Sequence, residues 1–142
     1  MEDFSIPILV DAKAEYTKQL TSIITPFLYD GINSIYEDSK SSCEENKTNN
    51  ILLTFQKSLS EIPKWNQEII DKEVSRIVTD SQCDWLDDLI TAVFVSHTKI
   101  LTSIQVGKRK KKINLQVPKL DTFIHKCYIE CAREFWKNPY LY

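Results

Sequence analysis

Four cysteines and two histidines are the side chains of this sequence that could bind a metal or act as nucleophiles. Cys127 and Cys131 lie four residues apart, which places both on one face of a helix, and His125 is close by. A structural zinc site takes four ligands, usually in two close pairs. The second pair is missing here, because Cys83 and His97 are isolated. Since both paired cysteines also fall on an apolar stripe, we predict buried thiols, no metal site and no cofactor.

Nucleophilic catalysis by a cysteine would need a neighbouring histidine and a group that orients it. His97 shares its helical face with apolar residues, which favours a hydrogen-bonded core histidine instead. Two carboxylate pairs, Asp87 with Asp88 and Glu44 with Glu45, are adjacent in sequence and do not face each other. The sequence contains no glycine-rich phosphate loop, nucleophile elbow or zinc-protease motif. We therefore predict no catalytic residues and expect a protein that is not an enzyme.

The strongest functional signal is a run of five adjacent cations in a chain that is otherwise acidic. Residues 1–104 carry 9 Lys and Arg against 17 Asp and Glu, a net charge of −8, whereas residues 105–142 carry 9 against 3, a net charge of +6. Adjacent cations repel one another and gain nothing from a core, so the run is expected to be exposed. The predicted partner- or phosphate-binding residues are Lys108, Arg109, Lys110, Lys111 and Lys112.

Such a run has several uses that the sequence leaves open. It can neutralise phosphates of a nucleic acid, steer an acidic protein partner, or serve as a nuclear localisation signal. It can equally be a solvated loop balanced by the protein's own acidic surface. No aromatic residues interleave with the cations, so a base-stacking platform is not indicated.

Composition predicts the fold class that must position these residues. With 142 residues and 42% apolar content, the chain fits one soluble globular domain. It has 2 glycines, where a typical chain of this length has about ten, and tight hairpin turns depend on glycine. This predicts an all-α fold. The sequence shows no secretory signal and no apolar run of membrane-spanning length, which favours a reducing compartment and free thiols.

The apolar periodicity predicts a single-domain bundle of about five helices over residues 1–142. Residues 1–10 are expected to be extended. A first helix follows from Asp11, with a kink or break at Pro26. Residues 37–50 are predicted to form a polar loop, a second helix to cover 50–61, and a third to carry apolar residues from Trp65 to Val78.

The second half of the chain is predicted around one apolar helix. Ser81 and Asp84 resemble a capping box opening a fourth helix, which is apolar nearly all round and is therefore placed at the centre of the bundle. Residues 105–117 are predicted to be a basic connector, with one short strand over 113–117. Pro118 suits the first turn of the last helix, which stops at Asn138 and Pro139.

Three stretches of the sequence resemble an uncharacterised protein family of large nucleocytoplasmic DNA viruses, mimivirus-like and phycodnavirus-like. They are residues 62–66, 83–101 and 113–142, the last including Phe-Ile-His-Lys-Cys-Tyr-Ile-Glu-Cys over 123–131. The resemblance covers most of the chain from Asn50 onward. It implies a viral setting but no activity or site residues, since the family has none established. It also implies a longer protein with a charged tail, of which this chain is the N-terminal portion.

Together these observations predict a non-catalytic protein–protein interaction or structural protein of a large DNA virus. The rich aromatic content, 3 Trp, 6 Tyr and 6 Phe, supports this, because aromatic side chains often anchor interfaces. The alternative is a nucleic-acid-associated factor that binds phosphates through residues 108–112. A viral or host protein is the expected partner, with nucleic acid as the second option and no membrane. The expected location is the host cytoplasm or the virion, or the nucleus if the basic run acts as a localisation signal.

Overall fold

The computed structural model describes residues 2–104 and 116–141, and their regular structure is helical throughout. The predicted all-α, single-domain bundle of five helices is confirmed. The α-helices are α1 (Glu2–Glu45), α2 (Ile51–Glu61), α3 (Gln67–Ser81), α4 (Leu86–Ile104) and α5 (Leu120–Lys137), with short 3-10 turns at Ile62–Lys64 and Pro139–Leu141. None of the described helices has the length and apolar character needed to cross a bilayer.

The first helix is longer than the sequence pattern predicts. The extended segment expected over residues 1–10 is wrong, because α1 begins at Glu2 and includes Pro7. Leu9 lines a cleft with Thr98 and Thr102 of α4, so this part of the chain has a helix to pack on. The helix also continues through Pro26, which is exposed, while Ile24 and Leu28 around it are buried. Tertiary packing therefore outweighs the local cost of the proline.

The polar loop expected over residues 37–50 is also mostly helix, since α1 ends only at Glu45. Ser39 and Cys43 are buried there. The Ser39 hydroxyl donates to the Ile35 carbonyl at 2.9 Å, and Cys43 Sγ lies 3.3 Å from Thr54 Oγ1 of α2. These small polar side chains are spaced four apart, so they form the contact with α2 rather than a solvated loop.

The two halves of α1 have different neighbours. Its 44 residues extend over about 66 Å at 1.5 Å per residue. The first half pairs with α4 in antiparallel fashion: Lys13 Nζ lies 2.9 Å from His97 Nδ1, and Ile23 lines a cleft with Trp85 just before α4. The second half contacts α2, α3 and α5, where the main core lies. Leu86, Leu89 and Ile90 at the start of α4 belong to the same core. We call the helices around this core the body, and the first part of α1 with the last part of α4, which pack on each other, the arm.

The position of α4 differs from the sequence prediction. Within the described residues, α4 contacts α1 extensively and α5 only slightly, so α1 and α5 occupy the centre of the bundle instead. Its buried residues are Leu86, Leu89, Ile90 and Ser96, and the first three belong to the core that α4 shares with the other helices. The predicted capping box is wrong as well. Ser81 ends α3 and accepts a hydrogen bond from the Cys83 amide at 3.3 Å, and α4 begins five residues later.

The remaining helices follow the predicted pattern closely. α2 begins at Ile51 and ends at Glu61, where the Ile62–Lys64 turn contains Pro63. α3 starts two residues after Trp65, because the Asn66 side chain accepts a hydrogen bond from the Ile69 amide at 2.9 Å and caps the helix. α5 ends at Lys137 with Asn138 as its C-cap, as predicted. Its start is different from the prediction, because the helix begins at Leu120 with Lys119 as its N-cap, so Pro118 precedes the helix and is not in its first turn.

Candidate functional site

The predicted partner- or phosphate-binding residues, Lys108 to Lys112, lie outside the described residues, and so do the first three residues of the strand predicted over 113–117. Its last two residues, Gln116 and Val117, are described and do not lie in a strand. The described chain leaves α4 at Ile104 and resumes at Gln116. The prediction that these cations bind a partner therefore stays a prediction.

The four cysteines are free thiols. Cys43 and Cys83 are buried, while Cys127 and Cys131 are half-buried on α5. Burial, with a smaller contribution from Cys131, raises the pKa of Cys127 to about 11, and burial also raises the pKa of Cys131. Both thiols are therefore protonated at neutral pH, whereas a thiolate is the form that attacks electrophiles and binds zinc. In the described part of the chain, no group of three or more His, Cys, Asp or Glu side chains is placed to hold a metal ion.

The two histidines lie in different environments. His97 is exposed, so the expectation of a core histidine is wrong, and its Nδ1 lies 2.9 Å from the Lys13 ammonium group. His125 is half-buried, with Nε2 at 2.8 Å from the Ile62 carbonyl, and its ring stacks on Trp65 with centroids 6.0 Å apart. His125 thus joins α5 to the turn before α3.

A polar cluster inside the body connects α1, α3 and α5. Tyr128 is 0% exposed, and its hydroxyl donates to Glu73 Oε2 at 2.9 Å. Arg76 donates to the same hydroxyl at 3.0 Å, to the Phe27 carbonyl at 2.9 Å and to Glu73 at 2.7 Å. Burial, followed by the nearby Glu73 charge, raises the pKa of Tyr128 well above its ordinary value. A neutral phenol that is fully hydrogen-bonded in this way fixes helix positions, and its burial leaves no room for a substrate.

An aromatic cleft lies on the surface between α2 and α5. Trp136 is 51% exposed beside a cleft of about 270 Å³, and Tyr140 just after it is 71% exposed. The side chain of Gln56 donates to the Trp136 carbonyl at 2.8 Å, which holds this end of α5 on α2. Leu59 and Ala132 form part of the buried floor. The other lining residues are Ser60, Pro63, Ile129 and Arg133.

A second concave surface lies on another side of α5, between α5, α1 and α4. It is a groove of about 680 Å³. Phe94 of α4 packs edge-on against Phe123 of α5, with ring centroids 6.2 Å apart at 89°, and this pair forms one wall. The other lining residues are Leu28, Gln116, Pro118, Thr122, Lys126, Cys127, Glu130 and Cys131. The two half-buried thiols thus face an apolar groove rather than a metal or a catalytic partner.

Comparison with known proteins adds a family but no activity. Residues 6–142 match the sequence profile of DUF5764, which is described as a family of unknown function. The chain belongs to DUF5764. No curated protein and no solved structure matches it. The expectation of an uncharacterised family is therefore confirmed at that level.

Neither concave surface was identified from the sequence. The sequence shows an apolar stripe on α5 that contains Cys127 and Cys131, but an apolar stripe on one helix does not indicate that α1 and α4 leave a groove beside it. For the cleft, a signal was present: Trp136 follows the apolar stripe of α5 without belonging to it, and Arg133 lies three residues before it. Tryptophan and arginine together are typical of interface anchors.

Proposed function

We propose that this protein is a non-catalytic protein–protein interaction protein that binds its partner through the aromatic cleft around Trp136. The supporting observation is the exposure of a large aromatic side chain beside a concave apolar surface. Trp136 is 51% exposed and Tyr140 71% exposed, at the same end of α5. Tryptophan, tyrosine and arginine are the residues enriched at the energetic centres of interfaces.

The surroundings of Trp136 fit this role. Arg133 lies on the cleft and pairs with Glu130 at 3.2 Å, with both side chains more than half exposed. An exposed pair of this kind contributes little to folding, so the guanidinium is available to a partner at small cost. Pro63 and Ile129 add rigid apolar surface. An apolar floor with an aromatic wall and a cation at the rim suits a partner segment that inserts an apolar side chain.

The viral setting of this proposal comes from the sequence resemblance. We propose that the protein acts in cells infected by a large DNA virus, in the host cytoplasm or the virion, with a viral or host protein as its partner. The non-catalytic part of the proposal is supported by the chemistry of the candidate nucleophiles. The thiols of Cys127 and Cys131 are protonated at neutral pH, and His125 is engaged with the Ile62 carbonyl.

The test is capture of partners from infected cells by the tagged protein, with and without nuclease, followed by mass spectrometry. Trp136→Ala is expected to lose the main partner. Trp85→Ala is the matched control, because Trp85 is 46% exposed but lies just before α4 and does not line the cleft. Both variants are expected to melt close to the wild type, since each side chain is about half exposed. Equal capture by both variants would contradict the proposed surface.

A nucleic-acid-associated function is the second proposal, supported by the five adjacent cations of residues 108–112 and by the net charge of +6 over residues 105–142. Nuclear localisation would follow from the same run. A protein captured only before nuclease treatment, and lost when these five residues are changed to glutamine, would favour this function over direct protein binding.

A further inference from the structure

We propose that the groove between α1, α4 and α5 binds the alkyl chain of a long-chain carboxylate, with the ammonium group of Lys126 pairing with its carboxylate. The volume of about 680 Å³ lies within the range of ligand pockets, about 300–1,000 Å³. The inference is independent of the proposed function, because the groove and the aromatic cleft share no lining residue.

The lining of the groove favours an alkyl chain. Leu28, Phe94, Pro118 and Phe123 are apolar, and they come from α1, α4, the segment before α5 and α5 itself. The thiols of Cys127 and Cys131 behave as apolar groups because their raised pKa values keep them protonated. Pockets of this kind bind by burying apolar surface, while a few polar groups fix the orientation of the ligand.

The charge at the rim favours a carboxylate. Two charged side chains line the groove, Lys126 and Glu130. Glu130 is paired with Arg133 at 3.2 Å, and Arg133 does not line the groove, so the carboxylate of Glu130 is already compensated by a cation from outside the groove. Lys126 has no hydrogen bond or ion pair with any residue in the described ranges 2–104 and 116–141. Among the described residues that line the groove, Lys126 is thus a cation without an ion pair next to an apolar floor, which is complementary to an anionic head group on an apolar chain.

The size of the groove favours a small ligand over a protein. Ten side chains line it. A stable protein–protein interface uses about 20–30 residues on each side. A single-chain amphiphile needs only the groove itself, because its alkyl chain contacts the apolar floor and its carboxylate contacts the rim.

The experiment is calorimetric titration of the full chain with octanoate, decanoate and dodecanoate, each below its micellar concentration and at low salt. Each added methylene that enters the groove should strengthen binding about fourfold. Dodecan-1-ol, which has the same chain without the charge, should bind more weakly than dodecanoate. Lys126→Gln should weaken dodecanoate binding about three- to tenfold and leave the alcohol unchanged. Lys137→Gln is the control, because Lys137 is on the same helix but pairs with Glu134 and does not line the groove.

Bound dodecanoate should also slow alkylation of Cys127 and Cys131 by iodoacetamide, mapped by mass spectrometry, and leave Cys43 and Cys83 unaffected. This readout locates the ligand in the groove rather than on another apolar surface. The proposal is overturned if no carboxylate of the series binds, if acid and alcohol bind equally, if Lys126→Gln and Lys137→Gln have the same effect, or if saturation gives no protection of the two groove thiols.

Discussion

Replacing Gly31 with alanine should destabilise the protein, although helix propensity alone predicts the opposite. Gly31 is in the interior of α1, where alanine is favoured over glycine by about 1 kcal/mol. A methyl group at this position, however, would overlap the Tyr128 hydroxyl and come within 2.8 Å of two carbons of its ring. Tyr128 is fully buried, so the ring has no free space into which it can move.

The expected loss of stability comes from the packing and the hydrogen bonds that Tyr128 would lose. Overpacking a core costs about 1–3 kcal/mol. Displacing Tyr128 also weakens its hydrogen bonds to Glu73 and Arg76, at 2.9 and 3.0 Å, and hydrogen bonds to charged groups contribute about 1.5–3 kcal/mol. Set against the propensity gain, the net loss in free energy of unfolding is about 2–4 kcal/mol. For a chain of this length that lowers Tm by about 7–13 °C.

The assay is thermal and urea denaturation followed by circular dichroism. Ser34→Ala is the matched control, because Ser34 is exposed on the same helix and should change Tm by little. Combining Gly31→Ala with Tyr128→Phe should cost at least about 1 kcal/mol less than the sum of the two single changes, since the phenylalanine has no hydroxyl to overlap. A Gly31→Ala protein as stable as the wild type, or additive effects in the double variant, would refute this reasoning.

Three further predictions concern the candidate sites. With a pKa of about 11, about one Cys127 side chain in a thousand is a thiolate at pH 8, so Cys127 should react with iodoacetamide roughly twentyfold more slowly than a free cysteine. The free energy of unfolding should also fall as the pH rises from about 9 to 11, because the thiol loses its proton at a lower pH in the unfolded chain than in the folded protein. EDTA should leave Tm unchanged and zinc analysis should find no stoichiometric metal, whereas collapse on chelation would show a structural metal. If residues 108–112 bind duplex DNA through three to four phosphates, a plot of log affinity against log salt concentration should have a slope of about −3. Changing all five residues to glutamine should flatten this slope without lowering Tm. A wild-type protein that shows no salt-sensitive binding would contradict the nucleic-acid proposal.

Helices α2, α3 and α5 could be predicted from the sequence because each shows one apolar face that packs on the core in the expected way. Phe55 and Leu59 of α2 and Ile124 and Tyr128 of α5 are buried at helical spacing. The proline in the Ile62–Lys64 turn marks one boundary, and a cap at Asn66 marks the next. These helices can be predicted from the sequence because their local signals and their tertiary packing agree.

The helix ends were harder to predict because the chain ends two helices in left-handed conformation without glycine. Lys47, after α1, has a φ of 54°, and Gln82, after α3, has a φ of 55°. The amide of Thr48 bonds to the Cys43 carbonyl at 2.9 Å, which is the pattern usually formed around a C-terminal glycine. With 2 glycines in the chain, the commonest stop signal was absent, and α1 was predicted to end too early.

The misplacement of α4 has a different cause. An all-round apolar sequence indicates how much apolar surface a helix carries, but not which neighbour covers it. Leu89 and Ile90 are buried as predicted, whereas Leu101 and Ile104 near the end of α4 are 37% and 62% exposed. They lie on the arm, beyond the part of α4 that meets α5 at Phe94 and Phe123. The sequence does not indicate that α1 is long enough for the end of α4 to pack on its first part, away from the other helices.

The two proposed surfaces meet only in α5, and this makes the proposals separable. Lys126 and Trp136 are ten residues apart on that helix, about 15 Å along its axis, and they belong to different concave surfaces. Tyr128, between them in sequence, belongs to the buried face and is fixed by α3. Because α5 is held rigidly there, a change at one surface is not expected to move the other. Trp136→Ala should therefore leave dodecanoate binding intact, and Lys126→Gln should leave partner capture intact. If either variant lost both dodecanoate binding and partner capture, a single site or a loss of the fold would explain the result better than two separate surfaces.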